Sequence, residues 1–427
     1  MISFKEVTTE EKSLRERRGF LGLTIMTKRT IGVIVAGFFT LFIAFSIRYS
    51  YGLILPSMLS SLAISKTEAG VIFSSYFITC TLLAPVFGTL ADRFDTRVIL
   101  TMFVAILGVG AYLMSFSSSV IQASIFFALI GIGHSACWAP VVTLVMRWVS
   151  QKRRGMIISI VDLGSTAGIA VWSMIIPVII GGFSWRTVWV SLGITAFVVA
   201  GMNFFLIRNR PQGQPATQDQ ENAQQVQVPV KEAYKTIFRD SKFYLIGFSY
   251  LLISFSILIP FTFLATYATQ ELMIPYESAA GLLVVIAIAG AIGKLILGYV
   301  SDRVGRIKIM MLCGLLTASG TLGMAYAQKL SMLFIFSMIF GIGYGTLWPV
   351  YAASARDLFP KNYSGSVIGL WTLYHGLGSI ISPVFSGWII DATGTYVWAF
   401  ILAMSCSLIS LLLLLPITKT GSVAILN

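Results

Sequence analysis

Beyond the first thirty residues, apolar residues gather in blocks of about twenty, separated by short polar breaks. A helix rising about 1.5 Å per residue needs about 20 residues to cross ~30 Å of hydrocarbon. Twelve blocks meet that length, at approximately 31–58, 68–90, 98–118, 121–146, 156–180, 187–207, 242–269, 278–300, 308–327, 330–354, 364–390 and 395–416. Each is predicted to be a membrane-spanning helix. Residues 208–241 break the pattern: they begin polar and rich in Gln and Pro, the composition of a flexible linker, and divide six blocks from six. Their last part, "VKEAYKTIF" from Val230, is spaced like a short amphipathic helix at a membrane surface. The expected organisation is a segment 1–30, a six-helix unit 31–207, a linker 208–241, a second six-helix unit 242–416 and a tail 417–427.

Composition agrees with an all-α membrane protein, since 56% of residues are hydrophobic and only 11% charged, against about 25% charged in soluble domains. The mean hydropathy is +0.85. A net charge of +13 raises the question of a nucleic-acid partner, but the positions of the basic residues point to membrane orientation instead. With both termini on one side, 25 of the 30 Lys and Arg fall in the segments of that side. Lys66, Arg186 and Lys329 fall on the other, and Arg48 and Lys294 lie within spans. The asymmetry predicts an even helix count with both termini cytoplasmic, in a plasma (inner) membrane, and no nucleic-acid partner. The first block is too long for a cleavable segment and is expected to act as its own targeting signal. Cys80, Cys137, Cys313 and Cys406 all lie in predicted spans with no CxxC pair, and read as small core residues.

The two units are related. "GTLADRFDTR" starts at Gly88 and "GYVSDRVGRIK" at Gly298, 210 residues on. "GIGHSACWAP" at Gly131 and "GIGYGTLWP" at Gly341 are again 210 apart, and "RRG" ending at Gly155 matches "YSG" ending at Gly365. Three landmarks in order at one offset indicate duplication of a six-helix unit.

These loops resemble the signature of the major facilitator superfamily, G-x-L-x-D-R-x-x-x-R after the second helix and again after the eighth, and the resemblance covers residues 30–417. It implies twelve helices in two pseudo-symmetric six-helix bundles, with substrate taken between them by alternating access. Asp95 stands where a glycine is usual in the first copy; the second copy is closer to the full pattern. Gly88, Asp92, Arg93 and Arg97, with Gly298, Asp302, Arg303 and Arg306, are the candidate cytoplasmic gate. A carboxylate at one helix end followed by arginines can cap a neighbouring helix and pair across the interface, making contacts that exist in one conformation only. Ordinary positive-inside anchoring accounts for the arginines but not for Asp92 and Asp302 at matched places. "RWVSQKRRG" and "GKLILGYVSDR" further resemble the oxalate/formate and monocarboxylate porters. That branch carries a basic residue facing the substrate carboxylate four residues before the glycine of helix eight. Here that residue is Lys294, which keeps the charge of the more usual arginine but not its bidentate fork.

Few ionisable groups lie inside the spans, and burying one costs roughly 2.5–3.5 kcal/mol or more unless it faces a partner or a cavity. Arg48 is ~26 Å along the first span, too deep for easy escape to either surface. With Tyr51, and Tyr49 at its flank, it offers a cation and phenol hydroxyls to one cavity wall. Lys294 lies ~12 Å from the cytoplasmic end of the eighth span and Asp162 ~10 Å into the fifth. Helices five and eight meet across the bundles in the family fold, so Asp162 and Lys294 are expected to form an inter-bundle pair that opens when substrate or a proton competes for one partner. His134 and Trp138 on helix four, repeated as Tyr344 and Trp348 on helix ten, sit among glycines and prolines that favour cavity-lining bends. Lipid-facing tryptophans are the alternative. Tyr374 and His375 on helix eleven are further substrate-binding candidates, the histidine alternatively being a core residue with its bonds satisfied.

No phosphate loop, HExxH or Ser/His/Asp spacing is present, so neither an enzyme nor an ATP-driven pump is indicated, and no cofactor or metal is expected. The expected function is a monomeric secondary transporter of a small organic anion, a carboxylate by the resemblance and by two interior cations against one carboxylate. Coupling is to protons or by exchange. The rivals are a transporter of a neutral or cationic solute (sugar, nucleoside or drug) and a transporter-like sensor.

Overall fold

The structure is a computed structural model describing residues 28–150, 153–209, 235 and 237–420, the side chains of 87–93, 361–363 and 419–420 excepted. The N-terminal segment, most of the linker with its expected surface helix, and the end of the tail lie outside the described residues. The described chain forms twelve apolar helices long enough to span a membrane. They are α1 (Lys28–Leu62), α2 (Lys66–Arg93), α3 (Thr96–Met114), α4 (Val120–Trp148), α5 (Arg154–Gly182), α6 (Trp185–Leu206), α7 (Ser241–Thr266), α8 (Tyr276–Val304), α9 (Arg306–Ala325), α10 (Leu330–Leu358), α11 (Lys361–Thr393) and α12 (Val397–Thr420).

Helices are what this composition demands, because lipid offers no partner to a backbone N–H or C=O. Where the chain leaves the apolar blocks, short polar side chains start the next helix. Asp95, Ser119, Ser184 and Asp240 accept from the backbone N–H of Arg97, Gln122, Thr187 and Lys242. Two elements differ from expectation. The fourth span is broken into Val120–Ser135 and Trp138–Trp148: Pro140 has no N–H to return to Ala136, and Cys137 N bonds tightly to His134 O at 3.0 Å. The seventh ends in a π-helical turn, Tyr267–Glu271.

The packing obeys the repeat. In the first unit α1 lies against α5 and α6, α2 against α4, and α3 against α4 and α6; the second unit repeats every pairing with six added to each label. Between units, α2 packs on α11, α5 on α8 and α1 on α7, a set that also maps onto itself. The offset of 210 residues is therefore a structural two-fold relating two bundles.

The signature loops show where that symmetry is loosened. Gly305 joins α8 to α9 at φ 103°, a conformation that side-chain-bearing residues rarely adopt. Its counterpart Asp95 holds φ −61° and instead caps α3 through Arg97 N at 2.8 Å. One loop turns by backbone freedom, the other by a side-chain hydrogen bond. Among the described side chains, the loop charges take partners inside their own bundles and not across the interface, although Arg97 Nε is buried without a hydrogen-bond partner: Arg306 contacts Asp302 and Ser301 and reaches Asp357 of α10 at 3.2 Å. Arg303 lies over the Tyr299 ring at 4.6 Å, and Arg97 over Phe204 of α6 at 4.1 Å. Each finds a partner within a turn or on the adjacent helix, nearer than the other bundle. The side chains of Gly88, Asp92 and Arg93 are outside the described set.

Cross-bundle hydrogen bonds among the described residues concentrate at the end opposite these loops. Asp391, at the end of α11, accepts from Lys66 N, Thr67 N and Thr67 Oγ1 at 3.1, 2.8 and 2.6 Å, capping α2 of the other bundle. Tyr276 donates to Leu53 O and Ser74 to Ile380 O, each at 2.6 Å. A Cβ on Gly52 would stand 1.9 Å from Phe261 O, so α1 and α7 meet backbone to backbone. The part of Asp391 in closing the interface is visible only in the fold.

Two expectations follow. Gly305→Ala should cost about 1–3 kcal/mol through backbone strain, whereas Asp95→Gly, which imposes the second loop's residue on the first, should cost a few tenths of a kcal/mol; equal shifts in the unfolding midpoint of the purified protein would contradict this contrast. Asp391→Ala should raise the population open at that end several-fold, with Thr67→Val raising it less. Distances between spin labels, one on each bundle at that end, report the change, and an unaltered distribution would remove Asp391 from the closure.

Candidate functional site

Arg48 is 7% exposed on α1 near the middle of the bundle interface, and aromatic rings enclose it. Its guanidinium carbon lies 4.8 Å from the Tyr49 and Phe77 ring centroids, 5.8 Å from Tyr76 and 5.9 Å from Phe45. The guanidinium lies between Tyr49 of its own helix and Phe77 of α2, with Phe45 one turn back the farthest of the four rings. Tyr51 is not on this wall. The Tyr51 hydroxyl donates to Ala69 O at 2.7 Å and its ring stacks on Phe73 at 4.9 Å, inside the first bundle.

The rings lend Arg48 their faces, but no carboxylate answers it. Nε and Nη2 are buried without a hydrogen-bond partner, and so are the Tyr76 hydroxyl and His134 Nδ1. His134 shares the pocket, its ring 5.1 Å from Phe45 and 5.5 Å from Tyr76. Of the other buried unpartnered atoms, Arg97 Nε is on a charged side chain, at the signature loop beneath the Phe204 ring, and the rest, on Thr101, Ser337 and Trp189 among them, belong to neutral groups. At Arg48 a charged donor, a phenol and an imidazole are left open around one space.

The second bundle supplies the facing wall. Tyr344 donates to Tyr49 Oη at 3.2 Å, closing the middle of the interface. Beside it His375, Trp348 and Tyr250 form one group, with His375 4.4 Å from Trp348 and 5.4 Å from Tyr250 between ring centroids. His375 Nδ1 is 2.7 Å from Ser254 Oγ and 3.2 Å from Ser379 Oγ. Tyr374, adjacent in sequence, turns away and packs on Phe243 and Phe248 of α7. The duplicated tryptophans also part company. The helix continues from Tyr344 to Trp348, but the break at Ala136 and Cys137 separates His134 from Trp138, which is left 46% exposed.

Of the expected site residues, the fold thus brings Arg48, His134, Tyr344, Trp348 and His375 to the central space and places Tyr51, Trp138 and Tyr374 elsewhere. Phe45, Tyr76, Phe77 and Tyr250 join them without any signal in spacing; uncharged aromatics in an aromatic-rich membrane chain become visible only by packing.

Asp162 and Lys294 meet across the bundles. Lys294 Nζ donates to Asp162 Oδ2 at 2.6 Å, and the two side chains are 12% and 23% exposed respectively. The pair joins α5 to α8 ~12–15 Å inside the signature-loop end. Removing one partner of so enclosed a pair strands the other, at roughly 3–5 kcal/mol.

A profile of the Major Facilitator Superfamily matches residues 37–296 and 246–426. The chain is 26% identical to a hexuronate transporter of Bacillus subtilis (strain 168), over 82% of this chain and 85% of that one. It is 24% identical to monocarboxylate transporter 12 of Xenopus laevis, over 75% and 74% of the two. Among solved structures, the nucleoside transporter NupG superposes with a TM-score of 0.72 at 14% identity, covering 92% of this chain and 100% of that one. With twelve spans, two related bundles and a match across nearly all of its length, this chain is a multi-pass membrane protein of the major facilitator superfamily of transporters.

Proposed function

We propose that this protein is a secondary transporter that moves a small organic anion, a carboxylate, between its two bundles by alternating access, with both termini on the cytoplasmic side of a plasma membrane. The observation that carries the reading is Arg48: a buried guanidinium with Nε and Nη2 unpartnered in a cage of four rings. A carboxylate satisfies those donors through a bidentate pair, whereas a neutral solute leaves the charge uncompensated. The names of the hexuronate and monocarboxylate relatives support an acidic substrate. The distribution of basic residues supports the orientation.

Asp162 and Lys294 act in this scheme as the latch near the cytoplasmic end. A proton on Asp162, or a substrate anion competing for Lys294, releases the pair and lets α5 and α8 separate. The closure around Asp391 holds the other end meanwhile. Energy comes from a proton or substrate gradient.

Arg48→Gln should abolish the thermal stabilisation that organic acids confer on the purified protein and reduce uptake into proteoliposomes by at least about tenfold. Arg48→Lys should retain part of both. Intact binding and transport of every acid by Arg48→Gln would refute the assignment. For the latch, the double exchange Asp162→Lys with Lys294→Asp should transport better than either Asp162→Asn or Lys294→Gln. Uptake by the exchange no better than by the single variants would sink that part.

A further inference from the structure

The wall opposite Arg48 has a chemistry of its own. We propose that Tyr250, Trp348 and His375 form a hydroxyl-reading subsite, so that the anion carried is a polyhydroxylated ring carboxylate, a sugar acid. The proposal rests on the reading of Arg48 as the anion pole and adds what the rest of the substrate must be.

Three features support it. The first is a set of free polar atoms. Tyr250, Trp348 and His375 are each partly exposed. Among the described residues, the Tyr250 hydroxyl, Trp348 Nε1 and His375 Nε2 neither take a protein hydrogen bond nor fall among the sealed, unpartnered atoms. The Ser254 and Ser379 hydroxyls hold His375 by Nδ1, which fixes the ring and leaves Nε2 free. Whichever tautomer it adopts, a hydroxyl can answer Nε2, being both donor and acceptor.

The second feature is direction. The outward stripe of α11 runs through Leu373, Leu377 and Ile381, 37%, 50% and 49% exposed, and that of α7 through Tyr244 and Phe248, 38% and 48% exposed. His375 stands two residues from both Leu373 and Leu377, and Tyr250 two from Phe248. Two residues turn a helix by ~200°. The free surfaces of His375 and Tyr250 therefore open into the bundle interface and not toward lipid.

The third is proximity. Gly376, next to His375, packs so closely on α2 that a Cβ there would stand 2.1 Å from Thr81. Thr81 lies one turn beyond Tyr76 and Phe77, the rings over Arg48. On the other side, Tyr49 over Arg48 accepts from Tyr344 at 3.2 Å, and Trp348, one turn beyond Tyr344, lies 4.4 Å from the His375 ring. A carboxylate at Arg48 thus extends its body toward these three residues.

A sugar ring suits that wall because its C–H face lies on the Trp348 indole while its hydroxyls meet the three polar atoms. The Tyr250 ring is backed by Tyr351, stacked at 4.2 Å, whose own hydroxyl is 2.7 Å from Ser249 Oγ, so the platform is braced before substrate arrives. An aliphatic acid of the same charge would strip water from the three polar atoms and return nothing. Sites built to hydrogen-bond a hydroxyl discriminate strongly against analogues lacking it.

The test compares two ring carboxylates of one charge, D-glucuronate and cyclohexanecarboxylate, in equilibrium binding to the purified full-length protein. The wild type should prefer glucuronate by at least about tenfold. Tyr250→Phe and His375→Phe, which keep the aromatic bulk, should each move that ratio toward one, and Arg48→Gln should weaken both acids. Equal affinity of the wild type for the two acids would overturn the hydroxyl subsite by itself, even if a variant failed to fold. So would a ratio unchanged in both aromatic variants with native unfolding midpoints. Should Arg48→Gln still weaken both acids in that case, the anion pole stands alone. Undiminished glucuronate binding by Arg48→Gln would instead overturn the anion reading, and the subsite with it.

Discussion

Inside a bilayer a polar group has only the protein to bond to, and the organisation of this molecule follows from how completely that demand is met. Asn203 of α6 donates to Thr40 of α1 at 2.8 Å. Ser249, Tyr351 and Ser410 tie α7, α10 and α12 together at 2.7 and 2.8 Å, and Ser407 joins Ser256 at 2.7 Å. Such pairs hold helices whose apolar faces gain little by choosing one another over lipid. Against that background the open donors of Arg48, with Tyr76 and His134 beside them, mark a place where the protein leaves a demand for something else to meet. A neutral hydroxyl left alone costs little enough to be tolerated, as at Ser337. A guanidinium with two open nitrogens in the middle of the spans costs far more.

The duplicated fold supplies a symmetric frame, and what distinguishes the two halves lies where the residues of the repeat diverge. Leu258 occupies the place 210 residues after Arg48, so the pairing of α1 with α7 needs no charge at that level. The interfaces of α2 with α11 and of α5 with α8 are related by the repeat, the first the more extensive, and one is fastened by Asp391 at the end opposite the signature loops, the other by Asp162 and Lys294 nearer those loops. Related surfaces secured at opposite ends are what a rocking motion requires, because one fastening can release while the other holds.

The spans, the repeat and the ion pair were legible in the sequence because each rests on a signal that survives without packing. Length and hydropathy set the helices, a fixed offset set the two-fold, and isolated charges in apolar blocks have few partners to choose from. The broken fourth helix was less accessible: Pro140 and Pro349 both sit one turn from a duplicated motif, yet only the first interrupts its helix. Residues chosen by helical spacing from Arg48 fared unevenly for a related reason. Spacing fixes a side chain's azimuth but not its lean, and Tyr51 found Ala69 O while Tyr49 covered the guanidinium. The described signature-loop charges, expected to pair across the interface, take partners within their own bundles. Local pairs at helix spacing are available in every conformation of the protein, and a cross-interface pair must compete with them.

Charge balance connects the site to the motion. With Asp162 and Lys294 neutralising each other, Arg48 leaves the central space with one uncompensated positive charge. On the proposed reading a bound monoanion cancels it, so the loaded protein reorients as a neutral interior while the empty one must carry a buried cation through the occluded state. That burial costs roughly 2.5–3.5 kcal/mol, enough to slow the empty return about a hundredfold relative to the loaded step. A carrier so built exchanges one anion for another faster than it cycles empty. Net uptake then needs a second event on the return path; protonation of Asp162 opens the latch there but, by freeing Lys294, adds a further positive charge. On the proposed reading an anion of another kind at Arg48 eases the return without adding charge, and exchange is the mode which that reading favours.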